Sequence, residues 1–135
     1  MRRGLLACVL ALAGCGPSGP IANGVFDTIC TSDGVRHDAS GATAYTVTQA
    51  GVLEIRNGQL VEGPCATSIH GFDGESFDLG PNGCDIEPGV VRFIEDGAGT
   101  LKDGMLTFKV WATIDRFNEG VTYEFTSACE GFARE

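Results

Sequence analysis

Imidazole is nearly missing from this chain, which has only His37 and His70 among its 135 residues. That scarcity argues against a histidine-built metal centre, and no His-Glu-x-x-His, Gly-x-Ser-x-Gly or phosphate-loop pattern occurs. No cofactor fingerprint is present either. His37 falls in Asp33-Gly34-Val35-Arg36-His37-Asp38-Ala39-Ser40-Gly41, which reads as a polar loop. A hydrolase triad needs nucleophile, base and orienting acid held on separate rigid elements, and three neighbours in one loop cannot supply that geometry. Positive charge is also scarce, at nine Lys and Arg against eighteen Asp and Glu. This argues against nucleic acid and anionic lipid headgroups as partners, because both require basic patches. Helical patterning is lacking too. From residue 25 onward no window of ten or more residues repeats its apolar positions at three and four.

The acidic residues are scattered, as on a solvated surface. The densest stretch, from Asp73 to Glu87, lacks the ligand order of a calcium loop, since the twelfth position counted from Asp73 is Cys84. Eighteen carboxylates offer many accidental pairs, so acid–base chemistry of the glycosidase kind gains no support from their number.

What the sequence does contain begins at its start. Met1-Arg2-Arg3 is a short basic segment, and Gly4 to Ala13 is uncharged and apolar, the pattern of a secretory signal. The run falls short of the roughly 20 residues that a membrane-spanning helix needs. It ends in Leu12-Ala13-Gly14-Cys15, which resembles the lipobox of bacterial lipoproteins. The resemblance implies cleavage before Cys15, a diacylglyceryl group on its thiol, and a mature domain anchored outside the cytoplasm. Gly16, where Asp would signal inner-membrane retention, implies the outer membrane. The expected organisation is thus a signal over residues 1–14, a lipidated Cys15 and flexible tether over 15–24, and a single β domain over 25–135. Loss of residues 1–14 leaves 121 residues with seven basic and eighteen acidic side chains, a net charge of −11.

Of the six cysteines, Cys8 belongs to the signal and Cys15 to the anchor, leaving Cys30, Cys65, Cys84 and Cys129. No two lie at Cys-x₂₋₄-Cys spacing, and the nearest histidine, His70, is five residues past Cys65, so disulfides are expected rather than zinc. Among the three connectivities, the expected one is Cys65–Cys84, clamping a hairpin, with Cys30–Cys129 joining the chain ends.

Strand signals are dense and are separated by turn residues, with 20 glycines in the chain. Val25–Cys30, Thr43–Thr48 and Val52–Arg56 alternate or are β-branched, and Asn57-Gly58 joins the last of these to Gln59–Glu62 as a tight hairpin. Ala66–His70 and Glu75–Leu79 flank the turn Gly71-Phe72-Asp73-Gly74. Val90–Glu95, Thr100–Lys102, Met105–Ile114 and Val121–Ala128 follow, with Asp103-Gly104 as another turn. Eight to ten sequential strands without crossover helices predict an all-β fold, an antiparallel up-and-down barrel of lipocalin-like form, with a β-sandwich as the alternative.

Alternation predicts that Leu106, Phe108, Val110, Ala112, Ile114, Val121, Tyr123 and Phe125 face the core. Tyr45, Val47, Leu53, Ile55, Val91 and Phe93 are expected to join them, with Glu54, Arg56, Thr122 and Glu124 facing water. Such a set predicts a closed, packed interior and places binding on the outside, at Trp111 on a polar strand face and at Phe72 and Phe117 in loops. The functional expectation is a non-enzymatic envelope domain that binds a small ligand or a protein. Rival expectations are a small hydrolase and an inhibitor of a secreted enzyme such as lysozyme. Ser40-Gly41-Ala42-Thr43-Ala44-Tyr45 resembles the Ser-Gly-x-x-Tyr motif of small lipoprotein lysozyme inhibitors, with one residue more in the spacing.

Overall fold

A computed structural model describes residues 19–135. The signal, Cys15 and the first part of the tether lie outside the described residues. Nine strands follow one another: β1 (Gly24–Asp38), β2 (Gly41–Arg56), β3 (Gln59–Glu62), β4 (Cys65–His70), β5 (Ser76–Leu79), β6 (Asn82–Glu87), β7 (Val90–Lys102), β8 (Met105–Arg116) and β9 (Val121–Ala133). Each pairs antiparallel with its sequence neighbour, except that β5 and β6 both lie along β7, β5 against Gly97–Thr100 and β6 against Val90–Ile94. Pairing of β1 with β9, and of β5 with β7, closes the sheet into an up-and-down ring. The expected barrel is therefore the observed fold. Its logic is that closure removes most sheet edges, which a meander of amphipathic strands otherwise leaves open.

Turn chemistry sets the register. Asn57 and Gly58 take φ of 53° and 76°, and Asp103 and Gly104 repeat those values, the positive-φ pair that a two-residue hairpin requires. Both predicted disulfides are present. Cys30 and Cys129 sit opposite each other on β1 and β9, 4.0 Å apart at Cα, and tie the seam that closes the ring. Cys65–Cys84 links β4 to β6, 5.7 Å apart at Cα.

The packed core fills one end. Phe26, Leu53, Ile55, Leu60, Phe77 and Leu106 are buried there, with Phe72 packed against them. Ile21, inside the segment read as a tether, is buried in the same cluster, so the chain enters the fold at this closed end.

Three expectations need correction. The segment from Asp33 to Asp38 is strand, not loop: β1 runs unbroken to Asp38 and pairs with both β2 and β9. Low local propensity is overridden there by pairing on both sides. Gly34 is required in that stretch, because a Cβ would lie 2.2 Å from the Glu124 carbonyl oxygen and 2.6 Å from the Phe125 Cβ. Second, β7 presents the opposite phase to the one expected near its start. Val90, Arg92 and Ile94 face inward, while Phe93 is 44% exposed on the outside. Val-Val-Arg-Phe-Ile alternates apolar residues in both phases, and pairing of Arg92 with inward Ile114 and of Ile94 with Ala112 decides between them. Third, the interior is not packed throughout.

Candidate functional site

Above the core the barrel holds a cavity of about 490 Å³. Its floor is Leu60, Leu79 and Phe108, and its walls include Ser32 on β1 and inward positions of four further strands. These are Val110, Ala112 and Ile114 on β8, Phe125 and Ser127 on β9, Tyr45, Val47 and Gln49 on β2, and Ile94 on β7. Every one of these follows from period-two alternation in registered strands, so that Ser32, Val47 and Ser127 share one level, as do Gly34, Tyr45, Phe125 and Ala112. The expected closed, packed interior is thus replaced by a cup. The phase of β7 accounts for part of the difference: Val91 and Phe93, expected inward, lie in the outward phase, while Arg92 occupies the wall.

Polar groups line the upper part. Ser32 Oγ donates to Ser127 Oγ at 3.0 Å. Tyr45 and Tyr123 meet edge to face across the glycine at position 34, ring centroids 5.7 Å apart and planes at 89°, and burial, aided by Tyr123, raises the Tyr45 hydroxyl above the usual phenol range. At the rim stand three inward arginines, each held by a carboxylate: Arg92 donates to Glu62 at 2.6 Å, Arg116 to Glu119 at 3.3 Å, and Arg36 to Asp38. Paired this way, the rim carries little net charge. The Nε of Arg92 is buried and has no acceptor among the described residues.

The cup is breached on one side. Strands β3 and β4 are short, and β2 has a neighbour on its β3 side only from Glu54 to Arg56. Val47 therefore points inward yet is 42% exposed. The cavity opens both at the rim and along this gap.

The sequence-predicted contact residues are not brought together. Trp111 lies outside on β8, 48% exposed, opposite Thr126 and Asp96, with the Lys109 ammonium 5.5 Å from its ring centroid. Phe93, which sequence reasoning placed inside, shares that outer face one strand away. Phe117 is 61% exposed in the 3₁₀ turn Phe117–Glu119 at the rim, whereas Phe72 is half-buried at the closed end. His70 Nε2 meets the Gly80 carbonyl at 2.7 Å, and His37 sits on the outside, 3.7 Å from Glu124. Neither histidine lines the cavity, and Asp38 is occupied by Ser40 and Arg36 rather than by His37. Ala39 and Ser40 form the β1–β2 turn, Gly41 opens β2 and Tyr45 points into the cup, so the residues of the inhibitor-like motif do not converge on one exposed loop. Among the described residues no three His, Cys, Asp or Glu side chains gather as a metal-binding group.

No protein-family model, curated protein or solved structure matches this chain.

Proposed function

We propose that this protein is an exported, lipid-anchored cup that holds a small, largely apolar ligand inside its barrel and performs no chemistry on it. The observation that carries the reading is the cavity, whose 490 Å³ falls within the range of about 300–1,000 Å³ typical of small-molecule sites. An eight-position ring is just wide enough to enclose one such ligand. The lining supports the ligand class: aliphatic and aromatic side chains surround most of the space, with Ser32, Gln49, Thr67 and Ser127 as scattered polar groups among them. The domain's net charge of −11 and the paired rim arginines favour a neutral ligand over a strongly anionic one.

The lipobox over Leu12–Cys15 and the two disulfides support an address outside the cytoplasm. Because Ile21 enters at the closed end, an anchor on Cys15 would hold that end against the membrane and turn the mouth away from it. The outer membrane is the surface proposed. The test is to isolate the full chain from its host membranes and analyse an organic extract by mass spectrometry. A stoichiometric apolar compound, absent from a cavity-filling Ala112→Trp variant, supports the cup. Cys15→Ser should at the same time abolish acyl labelling and leave the precursor uncleaved. Recovery of lipid-free mature protein from the unsubstituted chain would overturn the anchor.

A further inference from the structure

The ring is closed, yet strand β2 has a long edge that nothing covers. From Gly41 to Leu53 its residues pair with β1 on one side, and no strand among the described residues lies on the other. Natural sheets blunt such edges with Lys, Pro, bulges or a covering loop. This one has none of those devices: its fifteen-pair register with β1 is unbroken, and Gly-Ala-Thr-Ala-Tyr-Thr-Val-Thr-Gln-Ala-Gly-Val-Leu contains neither a charge nor a proline. Six of its thirteen residues are Thr, Val or Tyr, types that favour strand pairing.

We propose that this edge is a dimer interface, on which a second copy of the chain lays its own β2 antiparallel to the first about a two-fold axis at Val47. The proposal stands apart from the cavity reading and does not depend on it. Charge selects the occupant. A domain of net charge −11 repels its own copies over most of its surface, and the uncharged run from Ala39 to Leu53 is where two copies can approach with no acid in the ladder itself, the nearest being Asp33 one strand back, which accepts from the Thr46 hydroxyl at 2.6 Å. The edge is also self-complementary. Val47 is the middle residue of Gly41–Leu53, and an antiparallel ladder centred on it sets Val47 against Val47, Tyr45 against Gln49 and Thr46 against Thr48 of the second copy. No like charges oppose each other in that ladder, and the interface is the same patch on both copies, as two-fold symmetry requires. The exposed inward side of Val47 is covered in the same step, so the two lateral openings adjoin across the seam.

The experiment uses the full-length chain in intact cells, with single cysteines introduced and a short bismaleimide added. Val47→Cys should give a covalent species of twice the chain mass on a non-reducing gel, and Ile29→Cys, on the exposed face of β1, should not. Adding Thr46→Lys and Thr48→Lys, both on the exposed outer face, places lysine against lysine twice and should reduce the Val47→Cys dimer about ten-fold or more. Absence of the dimer, an equal yield from Ile29→Cys, or a yield indifferent to the two lysines would each overturn the proposal. A cross-linked product of any other mass would assign the edge to a foreign strand instead.

Discussion

Arg92 and Glu62 meet at the rim of the cavity, 2.6 Å apart, although thirty residues separate them in the chain. The two ends of this ion pair differ in exposure, with the Arg92 side chain at 14% and Glu62 at 56%. Removing the carboxylate leaves a half-buried guanidinium unpaired, whereas removing the guanidinium leaves a solvated carboxylate. Glu62→Ala should therefore destabilise by about 1–2 kcal/mol, and Arg92→Met by less than about 1 kcal/mol. Denaturant midpoints decide the order, and a larger loss for Arg92→Met would contradict this account of the rim.

Gly34 sits where Tyr45, Phe125 and the β9 backbone converge. Gly34→Ala forces a methyl group against the Glu124 carbonyl and should cost about 1–3 kcal/mol or more, as overpacking does. Gly51→Ala on β2, where a Cβ would meet only the Thr28 hydroxyl at 3.8 Å, is the control. It should be neutral or slightly stabilising, since alanine restricts the unfolded chain.

Acid should weaken the fold through three aspartates. Hydrogen bonds from Ser40 hold Asp38 below the ordinary carboxylate value, the Ser76 and Glu75 amides do the same for Asp73, and Arg134 does so for Asp27. Each has a lower pKa folded than unfolded. Their contribution is complete above the unfolded value of about 3.9 and is lost as pH falls through the folded value. Thermal midpoints should hold steady between about pH 7 and 5 and decline below about pH 4. Asp73→Asn should shrink that decline, and an unchanged acid limb in this variant would reject the assignment.

Trp111 should emit at long wavelength and be readily quenched by acrylamide, as its position on the outer wall requires. Trp111→Phe should change stability by no more than about 0.5 kcal/mol. A blue-shifted, quencher-resistant emission would mean that the outer face around Trp111 and Phe93 is covered.

Much of this architecture was legible in the residues. Asn57-Gly58 and Asp103-Gly104 announced their hairpins, strict alternation on Met105–Ile114 and Val121–Ala128 announced which side faced in, and the cysteine spacing fitted the pairing found. What stayed hidden depended on tertiary pairing. Gly34 and the polar residues around it gave no local reason to continue β1 past Cys30. In Val90–Glu95 both alternation phases are apolar, and only the partner strand reveals that Arg92 turns in and Phe93 turns out. The cavity was hidden for a related reason: its emptiness results from how far apart the registered walls stand and how short β3 and β4 are, and no single residue carries that information.

The central claim is that the barrel interior is a binding site. The most direct measurement is a fluorescence titration of the full chain with the neutral apolar probe N-phenyl-1-naphthylamine. Saturable enhancement at one probe per chain is expected, lost in the cavity-filling Ala112→Trp and Ile114→Trp variants, with circular dichroism confirming that each variant keeps its β fold. No enhancement in the unsubstituted chain, or binding that persists undiminished in both filled variants, would contradict the account.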